Sequence, residues 1–263
     1  MRQALTVTAA ILVLAGARAA ADPPAQEIEA GGHHVRLVTA RGPVHVWTPA
    51  GYRQERAGIA FYVHGYYTGV DRAWTEHRLA EQFRASGRNA LFIAPEAPAG
   101  GGDQVSWPLL GQLLVEVRRQ TGLLRPWGPV VVLAHSGGYR TAEAWLEHRA
   151  LEQVVLIDAL YGDEDAYRAW LAEPRGGPAN QLLLVGGDTI RWTEPFVREL
   201  GGGAAGTTVR VFDRLPDRAA EVGDDARRAP VLYFRSQIGH MELVEGGRTI
   251  PLLLQLTRLP AIR

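Results

Sequence analysis

Short apolar runs bounded by glycine or proline alternate along this chain with longer segments of helical period. His34 to Thr39 and Pro43 to Thr48 alternate polar and apolar residues across Arg41-Gly42, which predicts an opening hairpin. Gly58 to Val63 and Ala90 to Ala94 are uninterrupted apolar runs, as are Pro129 to Ala134, Val154 to Ile157 and Gln181 to Val185. Strands buried on both faces read this way. Thr207 to Phe212 and Pro230 to Phe234 predict later strands. Between them lie segments with apolar residues at helical spacing: Asp71 to Arg84 (closed by Gly87), Pro108 to Arg119, Tyr139 to Arg149, Asp165 to Leu171, Glu194 to Leu200 and Thr249 to Leu259. Leu215 to Ala229 is a polar loop. Strand and helix in alternation predict an α/β fold, a mostly parallel doubly wound sheet covered on both faces.

The first residues break this pattern. Met1-Arg2 is followed by an apolar stretch from Ala4 to Ala17, then by Ala17-Arg18-Ala19 and Ala19-Ala20-Ala21, both of A-x-A form. This is the signature of a signal peptide over residues 1–21, too short for a comfortable membrane span. It predicts a secreted or periplasmic protein with no transmembrane segment once the signal is removed. Residues 22–33, with Pro23 and Pro24, read as a linker, leaving 34–263 as one domain. Its 46% hydrophobic residues can fill a large core.

Composition removes several chemistries. Net charge is zero, so no electrostatic footprint for nucleic acid is present. There is no cysteine and no lysine, which excludes thiol nucleophiles, disulfides and Schiff bases. No Gly-x-Gly-x-x-Gly follows the first parallel strand, no phosphate-binding loop motif occurs, and the histidines lack metal-ligand spacing. No cofactor and no metal are expected.

In open α/β sheets the chemistry sits at the carboxyl ends of strands. The third apolar run ends in Ala134-His135-Ser136-Gly137-Gly138. Small residues two before and two after a serine permit the sharp strand-to-helix turn that lifts a nucleophile clear of the backbone. The first run ends in His64-Gly65-Tyr66-Tyr67, where Gly65 allows close backbone approach. The last strand leads into Ser236-Gln237-Ile238-Gly239-His240.

Together these motifs resemble the α/β-hydrolase superfamily over roughly residues 34–259. The resemblance implies a serine hydrolase without a large lid domain, since only about Tyr161 to Asn180 is available as an insertion. Ser136 would be the nucleophile and His240 the general base. The N–H groups of Gly137 and Tyr66 would form the oxyanion hole beside Gly65, and Tyr67 and Trp107 would contact substrate. Two aspartates stand at suitable strand ends as the acid. Asp158 closes Val154-Val155-Leu156-Ile157, where a carboxylate is costly to bury without a partner. Asp188 closes Val185-Gly186-Gly187, a turn in which aspartate is common in any case. The expected substrate is a small-molecule or cell-envelope ester or amide. The alternative is a non-catalytic binding or scaffold protein that keeps the fold.

Overall fold

The computed structural model describes residues 25–174, 176–202 and 206–262; the expected signal segment 1–21 lies outside them. The apolar runs become the strands of one ten-stranded sheet. The opening part is antiparallel: β1 (Gln26–Glu29), β2 (Gly32–Leu37) and β3 (Val44–Thr48). Next come β4 (Gly58–Val63), helices α1 (Val70–Glu76) and α2 (Leu79–Ser86), and β5 (Ala90–Pro95). Then follow α3 (Leu110–Thr121), β6 (Val130–His135), α4 (Tyr139–Ala144), β7 (Leu151–Ile157) and α5 (Glu164–Ala172). The chain closes with β8 (Gln181–Gly186), α6 (Ile190–Gly202), β9 (Val209–Phe212), α7 (Asp224–Arg227), β10 (Val231–Arg235), α8 (Glu242–Glu245) and α9 (Thr249–Leu256).

The strand order is β1-β2-β3-β5-β4-β6-β7-β8-β10-β9. From β5 onward every pairing is parallel. Side chains alternate across the sheet, so each central strand feeds two cores. Phe61, Val63, Val132 and Ala134 pack toward α3, α4, α5 and α6. Tyr62, Val131 and Leu133 pack toward α1, α2, α8 and α9. Burial on both faces explains why these strands are apolar without interruption. Only α5 lies in the β7–β8 connection among the described residues, so the carboxyl edge of the sheet has no large cover.

Two local expectations are corrected. The stretch 22–33, read as a linker, supplies β1 and the start of β2 within its described part; backbone pairing such as Glu27 with His34 orders it despite its polar sequence. The single helix expected over Asp71 to Arg84 is two. Arg78 takes a left-handed φ of 47° between α1 and α2 and donates to the Glu245 carbonyl at 2.9 Å. The His77 carbonyl turns to accept the Gln82 side chain, and its ring meets the Tyr62 hydroxyl at 2.7 Å.

Candidate active site

Four strand ends converge on one cavity of about 780 Å³ at the carboxyl edge of the sheet. Its wall includes Gly65, Tyr66 and Tyr67 after β4, Ser136 and Gly137 after β6, Tyr161 after β7, and His240 and Met241 after β10. The sequence-expected site residues on these loops are thereby brought together. No helix of the described residues is long and apolar enough to cross a membrane.

Ser136 follows the last residue of β6 directly and opens a one-turn 3-10 helix that runs into α4. Its φ is 50°, left-handed for a residue with a Cβ, as a sharp elbow requires. The glycines around it are needed for space. A Cβ on Gly138 would lie 2.7 Å from the Val63 carbonyl oxygen, and one on Gly137 would lie 2.3 Å from the Tyr66 ring. A Cβ on Gly65 would come within 2.7 Å of the Ser136 Cβ, so this glycine lets the β4 loop lie against the serine.

The loop after β4 is pinned from beneath. Buried His64 donates from Nδ1 to the Gly65 carbonyl at 2.7 Å. Its Nε2 lies 3.1 Å from the Ala97 N–H and 3.0 Å from a Glu96 carboxylate oxygen. Glu96 also accepts the Val70 N–H at the start of α1. Tyr67, with φ 65°, gives its N–H to the Ala99 carbonyl at 2.7 Å. The Tyr66 N–H has no acceptor among the described residues and stays available beside Ser136 and Gly137.

Of the two aspartates, Asp158 is the one whose carboxylate meets His240. His240 Nδ1 lies 2.7 Å from Asp158 Oδ2. Asp158 is fully buried and sits just past β7 with φ 47°. Its Oδ1 accepts the Gly187 N–H at 2.9 Å, the Thr189 N–H at 2.9 Å and the Thr189 hydroxyl at 2.7 Å. Its Oδ2 also accepts the Asp188 N–H at 3.1 Å. Burial pushes this carboxyl up. The donors from His240, Thr189 and Gly187 outweigh that and hold it well below the usual carboxylate range. Asp188 is exposed, and its backbone, rather than its carboxylate, serves Asp158. Ligand atoms of Asp158, Asp188 and His240 lie within 4.8 Å of one another, but the Asp158 oxygens are already taken by N–H and O–H donors.

Trp107 is corrected: it is 3% exposed, belongs to the core and does not line the cavity. Its carbonyl accepts the Trp145 indole N–H at 2.6 Å. Tyr67 does line the cavity and is almost fully exposed. Several residues escaped sequence reasoning. Tyr161 borders the cavity between Tyr139 (5.9 Å between ring centroids) and Trp192 (5.3 Å), and its phenol interacts with the Ser136 side chain. His135 is buried, donates from Nε2 to the His240 carbonyl at 3.2 Å and packs against the His240 ring, with centroids 4.5 Å apart and planes tilted by 37°. Burial, with the charge of His240 adding to it, pushes His135 down to about 3, so it is a neutral support. The apolar strand before each was the available signal for His135 and Tyr161.

An open, mostly parallel sheet with flanking helices and an elbow serine at its carboxyl edge defines the α/β-hydrolase fold. Solved structures bear this out. The feruloyl esterase module from Clostridium thermocellum aligns with a TM-score of 0.59 at 10% identity, covering 87% of this chain and 92% of that one. An S-formylglutathione hydrolase from Agrobacterium tumefaciens aligns at 0.56 and 10% identity, over 89% and 98%. One from Staphylococcus aureus aligns at 0.52 and 10% identity, over 89% and 98%. No family model matches the chain, and no curated protein matches it.

Proposed function

We propose that this protein is a serine hydrolase that cleaves a carboxylic ester of a small molecule, outside the cytoplasm. The observation that carries this reading is the 2.7 Å contact between His240 Nδ1 and buried Asp158, at a cavity that also holds the elbow serine. Asp158 keeps the proton of His240 on Nδ1, which leaves the Nε2 lone pair for the Ser136 hydroxyl. Ser136 Oγ attacks the ester carbonyl while His240 takes its proton. The N–H groups of Tyr66 and Gly137 receive the developing oxyanion. His240 then returns the proton to the departing alcohol, and a water activated by the same ring frees the acid from Ser136. Export rests on the N-terminal pattern of residues 1–21.

The test is covalent. A fluorophosphonate probe should label the purified protein at Ser136 alone, read by peptide mass. A folded protein that stays unlabelled would favour the non-catalytic binding reading. Gly65→Ala should keep the fold but slow labelling and ester turnover by about 10²-fold, because its methyl displaces the serine or the oxyanion loop. Unchanged turnover in that variant would place the oxyanion site elsewhere.

A further inference from the structure

Away from the cavity, four titratable side chains form a line between the antiparallel strands and α1. Glu29 Oε2 lies 2.7 Å from His34 Nδ1. His34 Nε2 lies 2.9 Å from His45 Nδ1. His45 Nε2 lies 2.8 Å from Asp71 Oδ1. The two rings are 5° from parallel with centroids 5.1 Å apart, a separation that matches edge-to-edge contact in one plane. Both rest on the indole of Trp74, at 4.5 and 4.6 Å. His34 is 7% exposed and His45 4%.

Each of the three contacts needs one hydrogen. Two neutral imidazoles bring only two between them. With both rings neutral, some pair of acceptors would face each other at under 3 Å, either in the buried His34–His45 contact or at a partly exposed carboxylate end. A third proton completes the line. Asp71 does not carry it, since the Arg36 guanidinium, bonded to both its oxygens at 2.6 and 2.7 Å, holds its carboxyl down at about 2. Glu29 is already an acceptor, with both its carboxylate oxygens 3.0 Å from the Trp74 indole N–H. A metal ion does not fit between the rings: two in-line bonds to nitrogen span about 4 Å, against the 2.9 Å observed.

We propose that His34 and His45 form a buried proton-binding site: they share one proton beyond the two of neutral rings, and the resulting imidazole–imidazolium pair fastens the β1–β3 strands to α1. The carboxylates at both ends and the indole face beneath favour a single positive charge here. The charged groups facing it are Glu27 and Glu29 from β1, Arg36 from β2 and Asp71 from α1. Burial works against charge on both rings, lowering His34 against the pull of Glu29 and Glu27 and His45 to about 4, so a second proton is disfavoured. The two steps belong to the pair rather than to either ring. The clamp is intact between them. It fails when the second proton enters in acid and when the shared proton leaves in base. The helix it holds carries Arg72 and Glu76 into the cavity wall.

Nitrogen-15 spectra of histidine-labelled protein test this directly. At pH 7 the His34 and His45 rings should together carry three ring protons. Two neutral rings carrying two protons would overturn the proposal. Calorimetric unfolding at pH 8, repeated in buffers of different ionisation heat, gives a second reading. The native chain should release about one proton more than His45→Phe, whose ring still covers Trp74. Equal release would also overturn it, and the spectra decide if the variant does not fold. Neither measurement involves hydrolysis, so the outcome is independent of Ser136.

Discussion

Ser136→Ala should reduce kcat/KM for short p-nitrophenyl esters by about 10⁴-fold or more and abolish labelling by fluorophosphonates. The chain has neither cysteine nor lysine, and burial makes the neighbouring Tyr161 phenol harder to ionise. The loss should appear in kcat, because the alanine leaves the cavity walls and the two oxyanion N–H groups in place. The left-handed φ at residue 136 is equally strained for either side chain, so stability should barely change. A variant that folds and retains even a tenth of native turnover would exclude Ser136 as the nucleophile.

Asp158→Asn should cost about 10⁴ in turnover, and Asp188→Asn no more than a few-fold. The asparagine amide would place a donor against His240 Nδ1 and favour the tautomer that cannot accept the serine proton. It would also weaken acceptance of the Gly187 and Thr189 hydrogens, so the variant should unfold at lower denaturant than the native chain. The pH dependence has a definite sign. Asp158 has a folded pKa depressed below its unfolded value of about 3.9. Its stabilising contribution is therefore complete above that value and is lost as acid carries the pH down through the folded pKa. Asp158→Asn should show a shallower acid loss of stability in denaturant titrations between about pH 4 and pH 2. Equal turnover losses in the two aspartate variants would contradict the roles assigned here.

How far the sequence could be read depended on whether a feature is local. Strands such as Val130–His135 announce themselves because burial on both faces forces every position to be apolar. The elbow at Ser136 was legible for a similar reason, since its small neighbours are adjacent in sequence. The pairing of Asp158 with His240 was not, because the donors that hold Asp158 come from Gly187 and Thr189 in the turn after the next strand. The break at Arg78 depends on a carbonyl of Glu245, far along the chain. Trp107 was misplaced because an aromatic residue near the active edge can face the cavity or the core, and only packing against Trp145 decides. β1 was missed because its order comes from backbone pairing, which leaves no mark on its polar side chains.

Ser136, Asp158 and Tyr67 all adopt left-handed φ, at 50°, 47° and 65°, around a single cavity. Each such residue costs roughly 1 kcal/mol or more relative to a relaxed backbone. The carboxyl edge of the sheet is therefore a reservoir of strain, held by the buried strands behind it. A descendant freed from the chemistry would gain stability by placing glycine at Ser136 or Tyr67, but not at Asp158, whose carboxylate satisfies the buried Gly187, Asp188 and Thr189 donors.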